Sequence, residues 1–275
     1  MVYRVGIGMA GSTTNAGLVR VCAALLAMAG AAALSAVALA QPTPELPPVA
    51  KECGEDSVGV TPLPNSAVAL QERKKIKILA IGASSTAVLG WQREGGPPLL
   101  EEILERTIKG LDVEIINRGF SGELADATAT RLQIEVALNH PDIVLWQVGT
   151  NDAFAQVPVD AFAASVRSTV RWLKENKIDV ILVGLHYMKQ LASDAHYQAI
   201  REALQEIATE ENVLRIRRYE AVEILSRTLR AAGRPEPSDF GLTEVGYNCM
   251  AQYIARAIAV GLYAKPPNGP ISQTR

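Results

Sequence analysis

Five short, largely apolar runs, at residues 76–81, 113–116, 143–148, 180–185 and 213–216, are separated by longer stretches of helical period. Apolar runs that do not alternate are buried on both faces, and strands joined through helices are parallel with right-handed crossovers. Helices are predicted over 98–109, 124–138, 160–176, 193–211, 220–232 and 243–262. The pattern predicts an α/β protein, a three-layer α/β/α sandwich around a five-stranded parallel sheet. Prolines at 42, 44, 47, 48, 62 and 64 fix φ and withhold ladder donors, so the stretch ahead of the first run reads as an extended lead-in. The domain is expected over 75–264, preceded by a proline-rich extension at 41–74 and followed by an unstructured tail at 265–275.

Of the 275 residues, 48% are hydrophobic and 20% charged, which excludes a disordered or collagenous chain. The formal charge of −2, with no basic run, argues against nucleic acid as a partner. Three scattered histidines offer no metal-ligand cluster. The glycine-rich turns lack the Gly-x-x-x-x-Gly-Lys and Gly-x-Gly-x-x-Gly spacings. No metal or cofactor is therefore expected.

Residues 1–40 contain Arg4 and Arg20, no acid, and an apolar run at 21–40 that closes on Ala38-Leu39-Ala40. A basic region, an apolar core and a small-x-small site in that order make a secretory signal peptide, with cleavage after Ala40 and a periplasmic or secreted product. The alternative is an uncleaved anchor, since the run is just long enough to cross a bilayer. Later apolar runs are strand-length and bounded by charge, so no membrane span is expected in the mature chain. Cys22 would leave with the signal. Cys53 and Cys249 then remain in a compartment that permits disulfides, either bridged or as two buried thiols.

In a parallel sheet of this kind ligands bind beyond the carboxyl ends of the strands. The first run opens there into Gly82-Ala83-Ser84-Ser85-Thr86, the second into Asn117-Arg118-Gly119-Phe120-Ser121-Gly122, and the third into Gly149-Thr150-Asn151-Asp152. Taken singly, each is a turn signal, and Ser84 has two readings, helix cap or nucleophile. In this order, Ser84, Gly122 and Asn151 resemble the Ser, Gly and Asn blocks of the SGNH (GDSL-like) hydrolase family, over roughly 75–262. Leu145 to Asn151 (LWQVGTN) and Gly246 to Ala251 (GYNCMA) resemble exported alphaproteobacterial members. The resemblance implies a flavodoxin-like SGNH fold and a serine esterase or lipase-like activity on small acyl esters, such as acetyl groups on a glycan or lipid. Ser84 would be the nucleophile, with Gly122 and Asn151 in the oxyanion hole.

The chain departs from that pattern at the base. The family carries a late Asp-x-x-His element. Here, aligning on Gly246-Tyr247 puts Ser238 and Gly241 at those positions, and aligning on Asp239 puts Leu242 at the histidine. The Asp of the GDS-type turn is replaced by Ala83. Of the three histidines, His140 precedes the third strand, at the wrong end of the sheet, and His196 lies on the polar face of a predicted helix. His186 follows the fourth strand directly, and is either a substitute general base or a wall residue against ligand or Tyr187. The alternative function is therefore an inactive SGNH-fold protein that binds a carbohydrate or acylated ligand in the cell envelope. Arg215, Arg217 and Arg218 read as a solvated edge with salt bridges. Trp146 reads as packing, and Trp91 as packing or pocket lining. The oligomeric state is not legible.

Overall fold

The computed structural model describes residues 46, 49, 53, 60–83, 98–233 and 244–264. All belong to one unit, Thr43–Arg275; the other, Met1–Pro42, lies outside the described residues, and with it the expected signal segment. The elements run α1 (Pro64–Arg73), β1 (Lys75–Gly82), α2 (Leu99–Thr107), β2 (Asp112–Gly119), α3 (Ala125–Asn139), β3 (Ile143–Gln147), α4 (Thr150–Phe154), α5 (Val159–Glu175), β4 (Asp179–Val183), α6 (Ala195–Glu210), β5 (Leu214–Ile216), α7 (Arg218–Ala231) and α8 (Glu244–Tyr263). All five strands pair in parallel, in the order β2-β1-β3-β4-β5. The expected three-layer sandwich is the fold.

Alternation along each strand divides the core in two. Ile76, Ile78 and Ala80 face the layer of α1, α2 and α8, together with Leu145, Ile181 and Leu214. Leu79, Ile81, Val144, Trp146, Val180 and Leu182 face α3, α5 and α6. Trp146 is fully buried, as expected. No described helix is long and apolar enough to cross a membrane.

Helix ends follow local chemistry where it exists. Pro158 precedes α5, with Asp160 in its first turn and Lys174 in its last, and Asp194 caps α6 by accepting the Tyr197 N–H at 2.7 Å. Two helices are instead capped from afar. The first helix, α1, lies in the stretch read from sequence as the 41–74 extension. No side chain of its own caps it. The buried Asp179 carboxylate at the start of β4 accepts Ser66 N–H at 2.8 Å, Ser66 Oγ–H at 2.7 Å and Asn65 Nδ2–H at 3.0 Å. Asp152 does the same for α3, accepting Ala125 N–H at 2.9 Å. Burial holds both carboxyls above their ordinary range, against the hydrogen bonds that favour ionisation.

Cys53 and Cys249 form a disulfide with Cα atoms 5.3 Å apart. It joins the segment ahead of α1 to the first half of α8, where the Tyr253 hydroxyl donates to the Cys53 carbonyl.

Candidate functional site

The strand register brings the sequence blocks to one edge. Gly119 pairs with Gly82, Gly82 with Gln147, Gln147 with Val183, and Val183 with Ile216, so one row of residues crosses the carboxyl end of the whole sheet. From it emerge residue 83 and residues 120–122, 148–151, 184–186 and 217–218. The strand order reverses between β1 and β3, the switch point at which loops part and leave a crevice.

Ala83 leaves β1 with its N–H on Gln147 O at 3.4 Å. The next residue, Ser84, lies outside the described residues, as do Trp91, Ser238, Asp239, Gly241 and Leu242. On one flank Phe120 N–H donates to Gly82 O at 2.8 Å, and the chain turns through Gly122 at φ +78°. A Cβ on Gly122 would meet no atom within 4 Å, so the backbone there faces open space at the rim. On the other flank Asn151, in the first turn of α4, donates from Nδ2 to Glu123 O at 2.9 Å. A primary amide has two N–H groups. One is spent on Glu123, which fixes the plane of the amide and leaves a second donor. Asn151 and the Gly122 turn are thus joined directly.

His186 also reaches this rim. Its N–H donates to Thr150 Oγ at 3.2 Å and its carbonyl accepts the Tyr197 hydroxyl at 2.6 Å, so the backbone is pinned to α4 and α6. Burial, and then the positive charge of Arg218, hold the imidazole well below its ordinary pKa of 6.5. Such a histidine contributes stability that is present above 6.5 and lost as pH falls toward the folded-state value. Between about pH 6.5 and 5, His186→Gln is therefore expected to flatten the loss of stability seen in the native chain, as read from urea midpoints. Parallel curves would mean that the imidazole is solvated.

Tyr197 and Tyr219 lie in the core on this side, with Tyr187 and Phe154 against them. Tyr187 meets Tyr219 edge-on at 5.2 Å, and Phe154 lies 6.2 Å from Tyr197. Burial pushes the Tyr197 phenol up to about 12.

The arginine cluster differs from the solvated edge read from sequence. Arg217 is exposed and Arg215 shares Glu220 with Arg201, but Arg218 is only 3% exposed, and burial brings its guanidinium down to about 9. Position two past β5 turns it inward, which residue type alone does not reveal. His140 ends α3 at φ +47°, remote from the carboxyl edge, as expected. His196 lies in the first turn of α6, half-buried rather than on a fully polar face. Sequence reasoning also passed over Glu123, Arg131 and Asp152, which hold the rim together. Only Asp152 carried a signal, its place next to Asn151.

The sequence model of the Non-GDSL lipase-like family matches residues 55–264. The chain belongs to that family. Similar solved structures include an acetyl xylan esterase, AlAXEase, at 19% identity and TM-score 0.55, covering 66% of this chain and all (100%) of that one. A lipase/acylhydrolase from Enterococcus faecalis is similar at 22% identity and TM-score 0.51, over 67% of this chain and 95% of its own. The acetylxylan esterase Axe2 from Geobacillus stearothermophilus is similar at 22% identity and TM-score 0.52, over 68% and 94%. At these identities the likeness is one of fold, that of the SGNH hydrolases. No curated protein matches the chain significantly.

Proposed function

We propose that this member of the Non-GDSL lipase-like family is a serine carboxylic-ester hydrolase acting on small acyl esters, with Ser84 as nucleophile and Gly122 N–H and Asn151 Nδ2–H as oxyanion donors. The observation that carries the reading is the Asn151 amide, locked by Glu123 O at 2.9 Å beside the open turn at Gly122 and the end of β1. Ser84 Oγ would attack the ester carbon as its proton passes to the His186 imidazole, with the carbonyl electron pair moving onto oxygen in front of these donors. Collapse returns that proton to the leaving oxygen, expels the alcohol and leaves an acyl-serine, which water cleaves by the same proton route to free acid and serine. Each preorganised donor lowers the barrier by roughly 3 kcal/mol. Among the described residues, the two exposed phenylalanines adjoin the donors: Phe120, 66% exposed, precedes Gly122, and Phe154, 53% exposed, lies one turn beyond Asn151. They suit the apolar part of an acyl group. Acetyl xylan esterases among the structures of similar fold support an O-acetylated glycan as the ester.

The base remains His186, and its surroundings set the rate. A triad histidine becomes an imidazolium that a carboxylate stabilises, whereas burial and Arg218 oppose that charge here. Turnover roughly 10⁴-fold below that of a complete triad is expected. The same observation favours a second reading, a protein that keeps the crevice and binds an acylated or carbohydrate ligand without turning it over. We further infer that residues 1–40 direct export, and that the chain works in the periplasm or outside the cell. A disulfide suits such a compartment.

Hydrolysis of p-nitrophenyl acetate by the purified protein, Ser84→Ala and His186→Ala decides between the two. The hydrolase requires that Ser84→Ala fall to the buffer rate and that His186→Ala lose a comparable factor. Equal rates for the native protein and Ser84→Ala end the hydrolase reading. Saturable thermal stabilisation by an acetylated xylo-oligosaccharide, unchanged in Ser84→Ala, would then establish the binding protein.

A further inference from the structure

The turn that carries Gly122 is held by little of its own. Its backbone makes a 3.4 Å contact from Glu123 N to Phe120 O, Gly119 N–H is taken by Asn117 Oδ1 at 2.9 Å, and no atom packs where a Gly122 side chain would lie. Beyond the Phe120 N–H on Gly82 O at 2.8 Å, what holds it comes from the first two turns of α3. Arg131 Nε donates to Glu123 Oε1 at 2.8 Å and Arg131 Nη2 to Glu123 Oε2 at 2.6 Å, a two-pronged grip on a carboxylate that is 7% exposed. The same Nη2 donates to Arg118 O at 2.8 Å, on the other side of the turn. Thr128 Oγ adds a third bond to Glu123, at 2.8 Å. One guanidinium therefore clamps both ends of the segment 118–123, and the residue it grips presents its carbonyl to Asn151 Nδ2.

We propose that Arg131 is the positioning residue of the oxyanion hole, holding the turn that carries Gly122 N–H by its two ends and aligning Asn151 Nδ2–H through Glu123. It touches no reacting atom. Its planar fork is what the position requires, because a lysine ammonium is a point charge that cannot span two carboxylate oxygens and a carbonyl in fixed geometry. The inference rests on the hydrolase reading for its consequence in rate, but not for its consequence in structure.

The first test is kinetic. Arg131→Gln is expected to lower kcat for p-nitrophenyl acetate roughly tenfold to a hundredfold, less than deletion of a donor, with KM within about twofold. Arg131→Lys should recover part of the loss. In an Asn151→Ala background, Arg131→Gln should cost much less than it does alone, because part of its effect passes through that amide. An unchanged kcat, a rise in KM alone, or losses that multiply in the double variant would overturn the proposal.

The second test needs no turnover. The Asn151 side-chain amide resonances, assigned by their absence in Asn151→Asp, should show one proton protected from exchange in the native protein. Arg131→Gln should raise its exchange rate roughly tenfold or more. Unchanged exchange overturns the proposal even if the native protein proves inert, a result that would count against the hydrolase reading alone.

Discussion

Gly82→Ala is expected to abolish cooperative folding. A Cβ at this position would lie 2.0 Å from Gln147 O, 3.0 Å from its carbonyl carbon and 3.2 Å from its nitrogen. These are backbone atoms of the neighbouring central strand, locked in the ladder by the Gly82–Gln147 pair, so they cannot swing aside as a flexible side chain would. Gly82 also sits at φ +113°, where an L side chain is strained whatever the space. Relief requires β1 and β3 to part at the middle of the sheet. That should cost more than about 4 kcal/mol, a large part of the roughly 5–15 kcal/mol that stabilises a typical domain. The control is Gly110→Ala, which has a comparable φ of +79° but no atom within 4 Å, and should cost about 1–2 kcal/mol. Urea unfolding of the two variants checks this. If they unfold at similar midpoints, β1 and β3 do not pair as described, and the placing of Ala83 at the rim fails with them.

Reduction of the Cys53–Cys249 bond is expected to be the next largest loss. The bond spans a sequence separation of 196, and closing so long a loop constrains the unfolded chain by as much as about 5 kcal/mol. Its native surroundings add to the loss, because Cys53 forms a buried cluster with Cys249 and Tyr253 of α8. A fall of roughly 3–5 kcal/mol on adding reductant is expected, read from urea midpoints. On the export proposed above, mass spectrometry of the secreted or periplasmic fraction after unfolding and thiol labelling should find a chain beginning at Gln41 with no labelled cysteine. Two labels would mean free thiols, and a chain beginning at Met1 would mean an uncleaved leader.

The sheet was legible because burial on both faces writes itself into sequence as continuous apolar runs, and the expected strands and helices agree with those found to within a few residues. The turns that carry Gly122 and Asn151 were legible for a related reason, since turns at strand ends need small residues and the chain order assigns each turn to a strand. The missed helix α1 shows the limit. Its segment begins PNSAVALQER, with proline ahead of it and no capping side chain of its own. The acid that caps it, Asp179, is more than a hundred residues away. Asp152 caps α3 in the same way. Long-range caps of this kind leave no local pattern to read.

By itself the sequence determined the layers, the parallel sheet and the turns offered at its carboxyl edge, because hydrophobic period and turn chemistry act over a few residues at a time. Only the tertiary structure decided which polar groups share that edge. It turned Arg218 inward while Arg217 stayed in solvent, lowered the basicity of His186, joined Cys53 to Cys249, and set Arg131 on Glu123 and Glu123 on Asn151. Charge, hydrogen bonding and desolvation depend on distances between residues far apart in the chain, and those distances exist only once the sheet has brought its five strand ends into one row.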